Sequence, residues 1–526
     1  MNKKYKILIL FLIVLGIACF FRLSQLGNMP AGLFPDEAAN GLDALILLDG
    51  HHTPFFERGL GREALYFYLL AGSVGLLGIG VWQIHLVSAL IGILTVIFVW
   101  LLAKKIFNTR IAFFASFFLA SSAWHTTLSR TGFRAILVPL LSTAFFYFAY
   151  LTFIEKSSKK KRILFGIFSG IALALGFYTY ISFRAMLGIL ALLAIILLLI
   201  NRKSVKKFLP EIIVVAISTT LVLTPLIFYF IGHPDSFMGR AGGVSIFNPN
   251  LNQGDILGTF LKVLKKSFWM FFTNGDLNWR HNVSGFGMLN PFVGFFFAFG
   301  FLYSVLIIFK KFLKLKIFKK ESTENWFKYS ILVVWFFGMM GPEILSAQGV
   351  PHGLRSIGVI PTVFLFSAIA IDFFWKRIKP FLIHKTSRIL LTVGGGMLLI
   401  ISLLYNYNLY FGISANSPNF YYAYRSDLTI VSDYLNKRDL KNQTFLVLDR
   451  YSVQTPEFLT TLKNQPYILV DPALSYQTKL KQSDQIIFTK STIFDAKKFK
   501  EKHLEAKLIK QEFNQFGQEI MRVYEY

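Results

Sequence analysis

Leu33-Phe34-Pro35-Asp36-Glu37-Ala38-Ala39-Asn40-Gly41-Leu42-Asp43 lies a few residues beyond an apolar run, residues 6–22, that is long enough to cross a bilayer. Two adjacent carboxylates beside hydrocarbon are costly, so such groups are generally paired, ion-binding or catalytic. Pro35 suits the first turn of a helix. A helix starting there puts Asp36, Asn40 and Asp43 on one face, at i, i+4 and i+7. It also leaves Asp36 and Glu37 at the helix N-terminus, where the dipole favours negative charge. Capping alone would account for an isolated Asp-Glu pair. The same loop, however, carries a second charged cluster, Arg58, Arg62 and Glu63, directly before Leu65-Tyr66-Phe67-Tyr68. A carboxylate so placed has the chemistry of a general base toward a hydroxyl or an amine.

The rest of the chain reads as a polytopic α-helical membrane protein. Of 526 residues 54% are hydrophobic, and apolar runs of bilayer-spanning length recur over the first four fifths. The formal charge of +27 would suggest nucleic acid in a soluble chain. Here the basic residues fall in short connections between apolar runs, which is the topology signal of a membrane protein and excludes a nucleic-acid partner. Lysine-rich connections stand at Lys104 to Arg110, Lys156 to Arg162, Arg202 to Lys207, Lys310 to Lys320 and Lys376 to Arg388. Placing them and the N-terminus in the cytoplasm gives eleven spans: 6–22, 84–103, 111–125, 133–154, 163–181, 184–200, 210–231, 289–309, 327–345, 357–375 and 388–408. Residues 65–80 would reverse every later loop if they crossed, so they are expected to lie at the interface. Lys3, Lys4 and Lys6 before the first run resemble a signal peptide, but a retained span fits a polytopic chain. The single cysteine, Cys19, excludes an intramolecular disulfide.

Two domains follow. Residues 1–411 form the transmembrane domain, with a first external loop at 23–83 and a large one at 232–288. From 412 to 526 the long apolar runs stop, and short strand-like runs at 444–449, 467–471 and 485–489 alternate with helix-prone segments near 425–437, 455–464 and 495–503. Two more strand-like runs, near 505–511 and 518–525, close the chain. This is the pattern of a small extracytoplasmic α/β domain. Nothing in it reads as catalytic. No Walker loop, dinucleotide fingerprint, His-Glu-x-x-His or paired-cysteine motif occurs in the sequence.

The short outer loops supply a second constellation. Arg130 and Arg134 lie in His125-Thr126-Thr127-Leu128-Ser129-Arg130-Thr131-Gly132-Phe133-Arg134, Arg184 in Tyr180-Ile181-Ser182-Phe183-Arg184, and Arg355 beside His352 in Pro351-His352-Gly353-Leu354-Arg355. These loops contain no lysine. Arginine's planar fork matches phosphate, and several on one face, against the topological bias, favour a phosphate-bearing ligand there. His125 and His352 have no metal-spaced partner in the sequence and read as interfacial histidines.

These residues carry a resemblance. Phe34-Pro35-Asp36-Glu37-Ala38 after one span, Gly61-Arg62-Glu63-Ala64-Leu65-Tyr66-Phe67-Tyr68, Ser121-Ser122-Ala123-Trp124-His125 through Arg134, and Gly275-Asp276-Leu277-Asn278-Trp279-Arg280-His281-Asn282 are similar to bacterial members of the dolichyl-phosphate-mannose-protein mannosyltransferase family and to the related aminoarabinose transferases. The resemblance covers about residues 5–405 and implies the C-type glycosyltransferase fold in a bacterial plasma membrane. It implies inverting transfer of a sugar from a polyprenyl-phosphate carrier to a lipid, glycan or protein acceptor outside the cytoplasm. It maps the family's base to Asp36 and the neighbouring acid to Glu37. Asn40, Asp43, Arg62, Glu63, Arg130, Arg134, Arg184, His352 and Arg355 then become the expected substrate-binding residues. No metal or other cofactor is expected, since a polyprenyl phosphate is already a good leaving group. A lipid or sugar transporter would show charges at the bilayer midplane and inverted repeats. An envelope assembly factor would use the acidic loop only for docking.

Overall fold

The computed structural model describes residues 2–59, 61–153, 158–238, 241–312, 323–382, 384–438, 442–464 and 466–526. All eleven expected apolar segments are helical. Among the described residues eight helices are long and apolar enough to cross a membrane by themselves, including α1 (Lys3–Leu23). A ninth crossing is a bent pair. Within the first loop stand α2 (Pro35–Leu48), a two-stranded ribbon of β1 (Phe55–Phe56) and β2 (Arg62–Glu63), and α3 (Leu65–Leu77); α4 (Val81–Ile106) then crosses. The bent pair is α5 (Thr109–Ser121) and α6 (Ala123–Ser129), which meet at 61°. Ser122 makes the break: its backbone is extended and its hydroxyl caps α6 by accepting from His125 N. This corrects the expected short span at 111–125, which continues to Ser129 by turning.

Two further helices, Lys159–Phe177 and Thr323–Ile344, have apolar stretches shortened by charged ends, yet contacts at those ends carry them from one side to the other. Arg162 pairs with Glu211 at 2.6 Å, whereas Tyr178 O, just past the opposite end, accepts from Leu65 N. Trp326 stands beside Ile308, whereas Glu343 accepts from His352 N. With these two, eleven helical segments stand where the sequence places spans; among the described residues eight, or nine with the bent pair, are long and apolar enough to cross. At the lysine-rich end, Arg110 and Lys376 share Asp372 at 2.7 and 2.8 Å.

The helix α3 does not cross. Its 13 residues reach about 20 Å, short of the roughly 30 Å hydrocarbon core. Both its ends stay on one side: Arg62 just before it binds Asp43 of α2, and His85 just after it binds Glu37 of α2.

The C-terminal unit is a five-stranded sheet in the order β4-β3-β5-β7-β6. The strands are β3 (Thr444–Val447), β4 (Ile468–Val470), β5 (Gln485–Thr489), β6 (Lys507–Phe513) and β7 (Glu519–Glu525). β4, β3 and β5 run parallel; β7 and β6 are antiparallel additions. Helix Ser426–Lys437 packs Leu428, Val431 and Leu435 on one face, against Leu446, Ile487 and Val523. Helix Ile493–Lys502 packs Ala496 and Phe499 on the other, against Val447, Ile486 and Phe488. Alternating inward residues on each strand thus feed two cores, as the period of two requires.

This domain is clamped onto the first loop. Leu33 N donates to Thr429 Oγ1 and Leu33 O accepts from Thr455 Oγ1, at 3.1 and 3.0 Å. Gly41 of α2 faces Phe458, whose ring carbons lie 2.6–2.8 Å from where a Cβ would stand. The first loop and the C-terminal domain therefore share a side, so an even number of crossings separates them and the total is odd. Gly41→Val would push the Phe458 ring out, and overpacking of this kind costs about 1–3 kcal/mol. The expected result is a lower Tm and new protease cleavage near 415–425; pairing Gly41→Ala with Phe458→Leu should recover most of the loss. An unchanged Tm and digest for Gly41→Val would contradict the docked arrangement.

Candidate active site

A cavity of about 660 Å³ opens where the first loop, two interhelical turns, the 270–290 loop and the C-terminal domain meet. Asp36 projects into it from the first turn of α2, and Pro35 opens that turn as expected. Its Oδ1 accepts a hydrogen bond from Tyr451 Oη at 2.9 Å. Burial, then the negative charge of Asp36, push the Tyr451 phenol far above its usual range, so it remains a donor at neutral pH.

Five arginines line the same cavity: Arg58, Arg62, Arg134, Arg184 and Arg280. No lysine does among the described residues. Each guanidinium is held from behind. Arg62 Nη1 donates to Asn40 Oδ1 at 2.6 Å, and Nη2 donates to Asp43. Arg58 Nε donates to the other oxygen of Asp43 at 2.9 Å. Burial draws Arg62 down to about 10, partly offset by Asp43, which leaves it charged at neutral pH. Burial likewise raises the Asp43 carboxyl, with Arg62 and Arg58 acting against it. Glu63 lies between Arg184 Nη2 and Arg134 Nε, at 3.2 and 3.4 Å. Arg134 also lies over the Tyr180 ring, Arg184 over Phe237, and Arg280 over Phe34 with 3.4 Å to the ring centroid. Arginine suits all these roles at once, as a fork for carboxylates and a plate for aromatic faces.

The structure brings Asp36, Asn40, Arg62, Glu63, Arg134, Arg184 and His352 to this cavity, as the sequence suggested. Four expected site residues lie elsewhere. Glu37 is fully buried and accepts from Phe34 N at 2.9 Å, from His85 Nε2 at 3.1 Å and from Gly132 N. Adjacent helical residues point about 100° apart, so Asp36 faces the cavity while Glu37 faces the bundle. Asp43 sits behind Arg58 and Arg62. Arg130 is fully buried and donates to Phe21 O, Ser24 O and Met29 O, tying α6 to the end of α1. His125 joins the same seam by taking Arg22 Nη2 at 2.7 Å. Arg355 turns to Gln348 O, outside the cavity wall.

Other groups escaped the sequence reading. Arg280 and His281 sit inside the 275–282 motif, and Arg58 inside the charged cluster of the first loop, where nothing in the sequence marks them apart from their neighbours. Tyr451 and Gln454 follow the carboxyl end of β3, the usual ligand-binding edge of parallel strands, and that rule could have flagged them. Asp276, His281 and His352 bring one ligand atom each within 4.8 Å of one another and could hold a divalent cation. His352 is 71 residues from His281, so sequence spacing hid the trio. Burial acts to raise the Asp276 carboxyl, but the His281 hydrogen bond and charge, with Gly353 N, hold it below its usual range.

Residues 64–228 match the model of the family described as dolichyl-phosphate-mannose-protein mannosyltransferase. ArnT from Cupriavidus metallidurans, solved bound to undecaprenyl phosphate, aligns over 99% of this chain and 98% of its own, with a TM-score of 0.58 at 12% identity. The chain has the C-type glycosyltransferase fold. The apo oligosaccharyltransferase of Archaeoglobus fulgidus also aligns, over 93% of this chain and 70% of its own, with a TM-score of 0.54 and 12% identity. No curated protein matches the chain by sequence. The resemblance to this family is borne out over residues 64–228, and the protein is a multi-pass membrane protein of this fold.

Within that fold, Arg130 and Arg134 should separate cleanly on mutation. Arg130→Ala strips donors from three carbonyls, and each of the two buried ones, Phe21 O and Met29 O, costs about 1–3 kcal/mol when left unsatisfied. It should lower folded yield and Tm in detergent. Arg134→Ala should keep yield and Tm near wild type, because its side chain faces the cavity. Equal losses in the two variants would overturn the division of roles.

Proposed function

We propose that the protein is an inverting glycosyltransferase that moves a sugar from a polyprenyl-phosphate carrier to an acceptor hydroxyl or amine outside the cytoplasm. One observation carries this reading: Asp36 opens into a cavity walled by five arginines at one end of a helix bundle, while the other lining carboxylate, Glu63, is taken up by Arg134 and Arg184. The arginines suit a phosphate; the carboxylate suits a proton. The relatives' fold and the undecaprenyl phosphate named for ArnT support the donor class. We place the N-terminus in the cytoplasm and the cavity and C-terminal domain outside, following the lysine-rich connections.

In the proposed step the acceptor oxygen or nitrogen attacks the anomeric carbon in line. The bond from that carbon to the phosphate oxygen breaks, and its electron pair leaves on the carrier phosphate. The acceptor's proton passes to Asp36. Arg62, Arg134 and Arg184 stabilise the charge that grows on the leaving phosphate. Glu63 and Asp43 keep those guanidiniums aimed. Tyr451 holds the Asp36 carboxylate in orientation. One in-line displacement inverts the anomeric centre.

Asp36→Asn keeps the shape and the Tyr451 contact but removes basicity. Removing a general base typically costs about a hundred- to ten-thousandfold in rate. Donor binding should survive. Tyr451→Phe should lower kcat by about tenfold, the weight of one hydrogen bond to a charged group, with the donor KM unchanged. The assay is transfer from polyprenyl-phosphate sugars to envelope extract, read by mass spectrometry. Turnover of Asp36→Asn within threefold of wild type, on folded protein, would remove Asp36 from the mechanism.

We further propose that the guanidiniums, and no metal ion, neutralise the phosphate. Asp276 Oδ2 already accepts from His281 Nδ1 and Gly353 N, both at 2.7 Å. Turnover should therefore survive dialysis against EDTA. Loss on chelation with recovery on adding zinc or magnesium would instead assign Asp276, His281 and His352 to a cation.

A further inference from the structure

Helix Ile256–Trp269 stands in the loop between two spans, on the side of the cavity. Its 14 residues extend about 21 Å, too short to cross a bilayer. Three stripes run along it. Val263 and Ser267, at i and i+4, are buried against the protein. Leu257, Leu261, Leu264 and Phe268, at i, i+4, i+7 and i+11, form an exposed apolar stripe; Leu257 and Leu261 are 68% and 54% exposed. Lys262, Lys265 and Lys266 form the third, next to it, and Trp269 ends the helix exposed.

The lysines are out of place by the rule that governs the rest of the membrane domain. Its other connections on the cavity side, at 23–34, 49–64, 130–136, 178–184, 233–255, 270–290 and 345–356, contain no lysine at all. Lysine otherwise gathers at the opposite side. Three lysines on one helical edge, beside an exposed apolar stripe and a terminal tryptophan, make the pattern of a helix lying in the plane of the lipid interface. None of the three pairs with an acidic side chain among the described residues, and none lines the cavity. Their charge is therefore directed away from the cavity.

We propose that helix Ile256–Trp269 is an interfacial anchor that binds anionic lipid headgroups through Lys262, Lys265 and Lys266. Its apolar stripe enters the acyl boundary, and the lysine edge meets headgroup phosphates. The helix runs straight into Met270 and Phe271, both fully buried, and from there into the Asp276–His281 segment of the cavity. Lipid binding thus holds one wall of the cavity at a fixed depth relative to the membrane surface.

The test uses no activity, so it stands or falls apart from the proposed reaction. Full-length protein with Cys19→Ser and Leu261→Cys is labelled with bimane. It is then reconstituted in vesicles of phosphatidylcholine alone or mixed with phosphatidylglycerol, with bromines on one lipid or the other. Brominated phosphatidylcholine should quench the label, and brominated phosphatidylglycerol should quench it about twofold more at equal mole fraction. Adding Lys262→Gln, Lys265→Gln and Lys266→Gln should erase that preference and leave the phosphatidylcholine quenching intact. A label that neither lipid quenches would show that the helix is not in the interface. Equal quenching by both lipids before the lysines are changed, or a preference that survives the triple change, would overturn the headgroup site. Preference restored only by a polyprenyl phosphate would assign the lysines to carrier capture instead, and would equally overturn it.

Discussion

The buried carboxylate of Glu37 is the constraint on which the site depends. It takes Phe34 N from its own helix start, His85 Nε2 from α4 and Gly132 N from the turn after α6. A carboxylate removed from water is costly unless donors meet its lone pairs. Here three separate segments supply them. The first turn of α2 is thereby fixed against two spans, and the next residue back, Asp36, is turned out into the cavity. The pair is one device: one acid spends its charge on position, and the other keeps its charge available. Asn40 extends the hold one turn along α2, donating to Gly132 O while accepting from Arg62.

Much of this was legible in the sequence, and the failures have a common cause. Apolar run length and lysine placement gave the bundle, because hydrocarbon thickness and the membrane's charge bias act on any sequence. Alternation in the tail gave the α/β domain and its strands to within a few residues. Helical spacing correctly joined Asn40 and Asp43 as neighbours. It could not say that both face Arg62, since that partner lies 19 and 22 residues away on β2. Composition also could not divide Arg130 from Arg134. They are four residues apart in one motif, yet the turn at Thr131-Gly132 separates them. Before it, Arg130 is still within the bundle, among backbone carbonyls and the rings of Tyr410 and Phe411; after it, Arg134 emerges beside Glu63. The Asp276–His281–His352 group shows the same limit across the chain, because two loops that never meet in sequence are folded side by side.

The distribution of cations follows from what each must do. Arginine fills the cavity wall because one guanidinium can meet several obligations at once: Arg62, Arg134 and Arg184 each have a carboxylate behind and an aromatic face below. Lysine cannot stack in that way and carries a single point of charge. On this side of the membrane domain it is confined to one interfacial helix, where a flexible point charge is what a fluid headgroup layer requires.

The C-terminal domain then ceases to be an appendage. The edge of its parallel strands delivers Tyr451 and Gln454 to the cavity, while Phe458 one turn later fills the space over Gly41. Both contacts fall on α2, one at Asp36 and one on the turn after it. A domain held only by its linker would move independently of the bundle and take Tyr451 away from the carboxylate. Docked through Leu33, Gly41 and Asp36 together, it sets the Tyr451 hydroxyl against a carboxylate that stays exposed to the cavity. The glycine at 41 is therefore as much a part of the site as the acid five residues before it. One permits the approach of the domain, and the other receives the hydroxyl that the approach brings.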